Sequence, residues 1–247
     1  MRKLILLVCL FFTFLASFSQ SHFSAADSLL SYAGLNILGE SYTDTASISE
    51  EQILILRKEF GKNKRYDPAY EKLVLPALSY FPQLKNYRIT FKVRNHGVPL
   101  STRPSFGSIF RHAKKREYMI FISTDTSTKW KDIQMNRVPL MAQFGIIGHE
   151  ISHIIEFKEK SSFGMMGLGI SHISTSYMNK FEFQADSICV AQGMGNYLLA
   201  WSTNARRAFG AQDPEQLGVK GEMYTYNERY MSPATIRRYM EESIKNK

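Results

Sequence analysis

Cysteine is nearly missing from this chain: among 247 residues the only two are Cys9 and Cys189. Cys9 lies in an apolar leading segment, which leaves Cys189 with no partner for an internal disulfide and excludes a disulfide-stapled scaffold. Cys189 falls in an apolar helical stretch and is expected to pack as a small hydrophobe. Internal repeats and long low-complexity stretches are missing too, so neither a solenoid nor a fibrous or disordered chain fits. The apolar run at residues 4–18 is shorter than the roughly 20 residues a membrane span requires.

That run has a different reading. Arg2 and Lys3 precede it, and Ser17 and Ser19 supply small residues ahead of Gln20. This is the layout of a secretory signal peptide spanning residues 1–19, and it implies a secreted or periplasmic protein. An uncleaved segment acting as a membrane anchor is the alternative. Loss of Arg2 and Lys3 takes the formal net charge from +9 to +7. Such a balance favours acidic partners modestly, including peripheral association with an anionic envelope surface. The basic residues are mostly scattered, and no nucleic-acid partner is expected. Their densest cluster, Arg111–Arg116, reads as a solvated hairpin turn.

With 44% hydrophobic and 13% aromatic residues, the chain can bury the core of one domain over 20–247. Residues 20–82 look helical. A helix is expected over Ser24–Leu38, and a second over Ser47–Phe60 with Ser47 and Glu50 as a capping box. A third opens at Asp67-Pro68, with the cap and first-turn proline in favoured places. From 83 onward the texture changes. Tyr87–Arg94 alternates apolar and polar residues as a half-buried strand does, and Ser105–Phe110 and Glu117–Ser123 read as two more strands joined by the basic turn. Residues 124–136 look like a loop. Pro139 begins a strongly apolar helix reaching about Lys160, and Phe163–Ile170 reads as another loop. One helix is expected over Thr175–Ala200 and a last one over Pro233–Ile244. The order predicts an α+β fold in which a small, mostly antiparallel sheet packs on the helix after Pro139, with helices at both ends.

That helix carries His149-Glu150-Ile151-Ser152-His153. Residues four apart share a helix face, so His149 and His153 can offer two imidazole nitrogens to one metal ion. Zinc favours such donors. Glu150 is rotated about 100° from His149, off the ligand face yet within reach of a metal-bound water. Two histidines and a glutamate in an apolar helix are costly to bury without a use. Glu156 shares the histidine face but lies too far along the axis to be the third ligand. The best candidate for that place is Glu182, with Asp186 four residues on as acceptor for a ligand ring N–H, preferably that of His149.

His-Glu-x-x-His followed by Glu182-Phe183-Gln184-Ala185-Asp186 on a later helix resembles the gluzincin peptidases of the HtpX and CAAX-processing type, especially their soluble, minimal members. The resemblance covers roughly residues 85–245, and Gly148 fits the family's Gly-His-Glu start. It implies a zincin-like fold, one zinc ion per chain and a protein or peptide substrate. It also implies an edge strand ahead of the active-site helix, here Glu117–Ser123, that pairs with extended substrate. The chain departs from the family at Ser232, where a histidine is usual before Pro233. The oxyanion donor is therefore sought among Tyr224, Tyr226, Tyr230, Arg238 and His172. The expected activity is zinc endopeptidase with Glu150 as general base. A secreted zinc-binding protein without catalysis is the alternative.

Overall fold

A computed structural model describes residues 48–95, 97–125, 128–161, 164, 174–210 and 229–245. The expected signal peptide, the Ser24–Leu38 helix and most of the Phe163–Ile170 loop lie outside the described residues, as do His172, Tyr224 and Tyr226.

The described helices are α1 (Glu50–Phe60), α2 (Glu71–Ser79), α3 (Leu140–Lys158), α4 (Thr175–Cys189), α5 (Gly195–Ala208) and α6 (Pro233–Lys245). The strands are β1 (Lys64–Arg65), β2 (Arg88–Arg94), β3 (Leu100–Pro104) and β4 (Glu117–Ser123). The capping box of α1 is made by Ser49 and Gln52, not by Ser47 and Glu50. Asp67 caps as expected, accepting from the Ala69 N–H ahead of a short turn that leads into α2.

The four described strands form one sheet in the order β1-β2-β4-β3. This corrects the sequence reading in three ways. The sheet is mixed, because β1–β2 and β2–β4 run parallel and only β3–β4 is antiparallel. The second strand is Leu100–Pro104, and Ser105–Phe110 instead forms a short helical turn in the connection. Strand β4 is flanked by β2 and β3, so its backbone groups are already paired and it cannot receive a substrate strand; among the described strands the edge on that side is β3.

Alternation decides which sheet face is buried. Ile89 and Phe91 of β2 and Tyr118, Ile120 and Ile122 of β4 join the core, while Arg88, Lys92 and Arg94 face outward. The core continues through α3, whose Phe144, Ile147, Ile151 and Ile154 are fully or almost fully buried. Two glycines set how closely its neighbours approach. A Cβ on Gly145 would lie 2.1 Å from the Tyr197 carbonyl oxygen of α5, and one on Gly148 would lie 2.6 Å from Met194 Sδ.

Arg116 closes the other end of α3. It belongs to the expected solvated turn, yet its side chain is buried. Its Nη1 donates to the carbonyls of Phe157 (3.0 Å) and Lys160 (2.8 Å), and its Nε donates to Arg111 O (3.0 Å). The cation thus adds donors to carbonyls at the end of the helix, where Phe157 O also accepts from Lys160 N–H (3.2 Å), and it sits at the negative end of the helix dipole.

The single helix expected over Thr175–Ala200 is broken. A π-helical stretch, Val190–Met194, separates α4 from α5, and Gly193 within it has φ of 90°, a left-handed conformation suited to glycine. The break lets α4 and α5 meet α3 along different directions. Cys189, just before it, is fully buried as expected, and burial raises its thiol well above the ordinary range.

Candidate metal centre

Helix α3 presents His149 and His153 one turn apart, with ring centroids separated by 4.8 Å. Helix α4 lies against it and brings in Glu182. His149 Nε2 is 3.2 Å and His153 Nε2 is 3.3 Å from the same Glu182 Oε2. All three residues are buried, and their donor atoms fall within 4.8 Å of one another, so the cluster could hold a metal ion. Four-coordinate zinc with bonds of about 2.0–2.1 Å needs neighbouring donors roughly 3.3–3.4 Å apart. The two nitrogen–oxygen separations match that spacing.

Each imidazole is aimed by a carboxylate on its other nitrogen. His149 Nδ1 lies 2.7 Å from Asp186 Oδ1, as expected from the sequence. His153 Nδ1 lies 2.9 Å from Glu156 Oε2, a role that sequence reasoning missed. Since an ionised carboxylate only accepts, both Nδ1 atoms carry a proton, and in the neutral imidazoles the Nε2 lone pairs are left for a ligand. The signal was present in the three-residue step from His153 to Glu156, which puts the two on one helix face.

The field of the cluster favours positive charge. Burial works against a charged imidazole, but Asp186 and Glu182 outweigh it and raise His149 well above its ordinary value. In His153, burial is likewise overcome by the hydrogen bonds to Glu156 and Glu182, and the value rises to about 9. Burial would also raise Glu182, yet the hydrogen bonds to both histidines hold it far below the carboxylate range. Surroundings that favour imidazolium over imidazole favour a bound cation by the same sign of potential.

Glu150 is buried, and among the described residues its Oε2 has no hydrogen-bond partner. That contrasts with Asp186, whose second oxygen accepts from Met231 N–H at 2.7 Å. The bond to Met231 fastens the segment 229–232 over the site. Ser202 Oγ donates to Met231 O (2.8 Å) and Arg206 Nη2 to Tyr230 O (3.2 Å).

This segment supplies two neighbours of the cluster. The Tyr230 ring is 5.8 Å from that of His149, and Arg229 Nη2 is 3.7 Å from Glu182 Oε1. Although 42% of the Tyr230 surface is exposed, its phenol is raised, first by burial of the hydroxyl end and then by the charge of Glu182. Arg229 was not foreseen in the sequence, where nothing local ties it to either motif. Arg238 pairs with Glu242 of its own helix at 3.9 Å and lies over the Tyr239 ring, contacts that do not lead to the metal ligands. Ser232 accepts from Thr235 N–H (3.2 Å) and caps α6 ahead of Pro233.

A scan of the chain against protein-family models gives no match, and comparison with curated proteins and with solved structures gives none.

Proposed function

We propose that the chain is a zinc-dependent endopeptidase, with His149, His153 and Glu182 as metal ligands and Glu150 as general base. The observation that carries this reading is the buried Glu150 oxygen, without a partner among the described residues, beside three converging donor atoms. Leaving a carboxylate oxygen buried and unpaired costs free energy, whereas a base beside an activated water needs that lone pair open. Two imidazoles and one carboxylate form the donor set of catalytic zinc sites that keep a fourth position open. Calcium and magnesium select oxygen-rich sites instead.

A zinc ion, when bound, supplies Lewis acidity toward water and toward a substrate carbonyl. Glu150 accepts the proton of the attacking water and delivers it to the leaving amine. Asp186 and Glu156 hold the two imidazoles in their metal-binding tautomer. Tyr230, kept protonated by its surroundings, is a candidate hydrogen-bond donor to charge developing on the carbonyl oxygen, and Arg229 adds positive potential. An extended substrate pairs along β3, the edge strand on that side among the described strands. The zincin-like fold, the likeness to gluzincins and an exported location belong to the same reading. The two spaced motifs support the first two, and residues 1–19 support the third.

Elemental analysis and digestion of an unfolded protein test the proposal together. One zinc per chain is expected, with cleavage abolished by chelation and restored by zinc. Glu150→Gln should keep the metal and lose roughly 10²–10⁴ in kcat. Undiminished cleavage in that variant, or a chain that takes up no zinc, overturns the assignment.

A further inference from the structure

Phe106 and Phe110 are the most exposed aromatic side chains among the described residues, at 77% and 68% of their full surface. Both lie in the connection between β3 and β4. Arg111, Lys114 and Lys115 beside them are also exposed. Between Glu71 and Glu117 the chain has ten lysines and arginines and no aspartate or glutamate, so these cations have no acidic neighbour in their own stretch.

The exposure does not come from a loosely held loop. Ser105 N–H donates to Glu117 O (2.7 Å), Arg111 N–H to Ser108 O (2.9 Å) and Lys115 N–H to His112 O (2.7 Å). Ser108 Oγ donates to Ser105 O at 2.8 Å. Arg116 then ties the connection to the end of α3 through Phe157 and Lys160. A well-bonded connection therefore holds two phenyl rings in water beside the exposed cations Arg111, Lys114 and Lys115.

We propose that the Ser105–Arg116 connection docks the protein on an anionic lipid surface. The cations meet the headgroups while Phe106 and Phe110 enter the boundary between headgroups and acyl chains. Lysines and arginines near an anionic leaflet and apolar side chains in the interface both add to binding. A polyanion in solution would use the cations but leave the protruding rings in water. Arg116 couples this contact to α3, where Phe157 lies one turn beyond His153, about 6 Å along the axis. Docking thus holds the metal centre close to the membrane. It does not depend on the chemistry proposed for that centre.

The test places a reporter at the tip. Phe106→Trp in the full chain is mixed with phosphatidylglycerol or phosphatidylcholine vesicles, with the emission of Trp130 and Trp201 subtracted using the unsubstituted protein. Residue 106 should shift to the blue and be quenched by brominated lipid in the anionic vesicles at low salt. Neutral vesicles should do little, and high salt should weaken the response. Adding Phe110→Ala, or Lys114→Glu with Lys115→Glu, should lower the apparent affinity roughly tenfold or more in each case. Unshifted emission in anionic vesicles overturns the proposal, even if the protein sediments with them, because residues 4–18 could then be the anchor. An equal shift with heparin or single-stranded RNA overturns it as well, as does binding indifferent to Phe110.

Discussion

Helices α3 and α4 share one cluster of donor atoms but are held in place by different forces. Thirteen of the 19 residues of α3 are buried, against five of 15 in α4. Helix α3 has no side-chain cap at its start and is fixed by apolar packing, by close contact at Gly145 and Gly148, and by Arg116 at its far end. Helix α4 is capped by Ser174 and ends in the π turn, and its inward polar bonds run from Asp186 to His149 and to Met231. The helix carrying the histidine pair is thus a structural beam, whereas the helix carrying the third ligand is positioned largely through the site itself. Damage to α3 should therefore appear as lost stability, and damage to α4 as weakened metal binding.

The largest effect is expected from Arg116→Met. It removes the side-chain donor from the carbonyls of Lys160 and Arg111, at about 1–3 kcal/mol for a buried unsatisfied group, while Phe157 O keeps the Lys160 N–H. Methionine fills part of the volume, so a loss of about 3 kcal/mol measured by denaturant unfolding is expected. A midpoint unchanged from the parent protein would show that Arg116 is not what closes the helix. Gly145→Ala comes next. Its new methyl meets a backbone carbonyl that cannot rotate aside, and overpacking of this kind costs about 1–3 kcal/mol. The value should lie toward the upper end, with the metal content of the folded fraction unaltered.

Those two residues mark how far local sequence reaches. The histidine pair was legible because a four-residue step on a helix is a local geometric fact. Glu182 and Asp186 were legible because the same step recurs beside it. Arg116 was not legible. It stands in a run of cations, and no local pattern tells which one a helix end 41 residues away will bury. The parallel pairing of β2 with β4 was hidden for a similar reason. Alternation identifies a strand and its faces, but the pairing skips over β3 in sequence, and a short β3 ending at Pro104 was mistaken for the more apolar stretch after it. The interruption at Gly193 was read as continuous helix, because its neighbours kept an apolar helical pattern through the turn.

On α4, Asp186→Asn should sharpen the contrast from the other direction. Asparagine keeps an oxygen for the Met231 N–H but turns an N–H donor toward His149 Nδ1, so the acceptor and the charge that aim the ring are both lost, a change that typically lowers metal affinity about 10–100-fold. Competition titration with a zinc chelator would measure this, while the unfolding midpoint of the metal-free protein should move little. A large fall in metal-free stability would mean that Asp186 holds α4 as a structural strut, and the division between the helices would fail.

Glu156→Gln is the smallest and most discriminating case, since it alters the same kind of contact from within α3. Glutamine can still accept from His153 Nδ1–H, and Glu156 sits on the same helix as its partner, so the geometry needs no second element to hold it. The loss of metal affinity should fall near the tenfold end of the range for residues that orient a ligand. If Glu156→Gln and Asp186→Asn lowered affinity equally, the charge on each carboxylate would be what matters. A smaller loss for Glu156→Gln is the expected result, because glutamine keeps its one acceptor for His153 whereas asparagine at 186 cannot accept from both His149 and Met231.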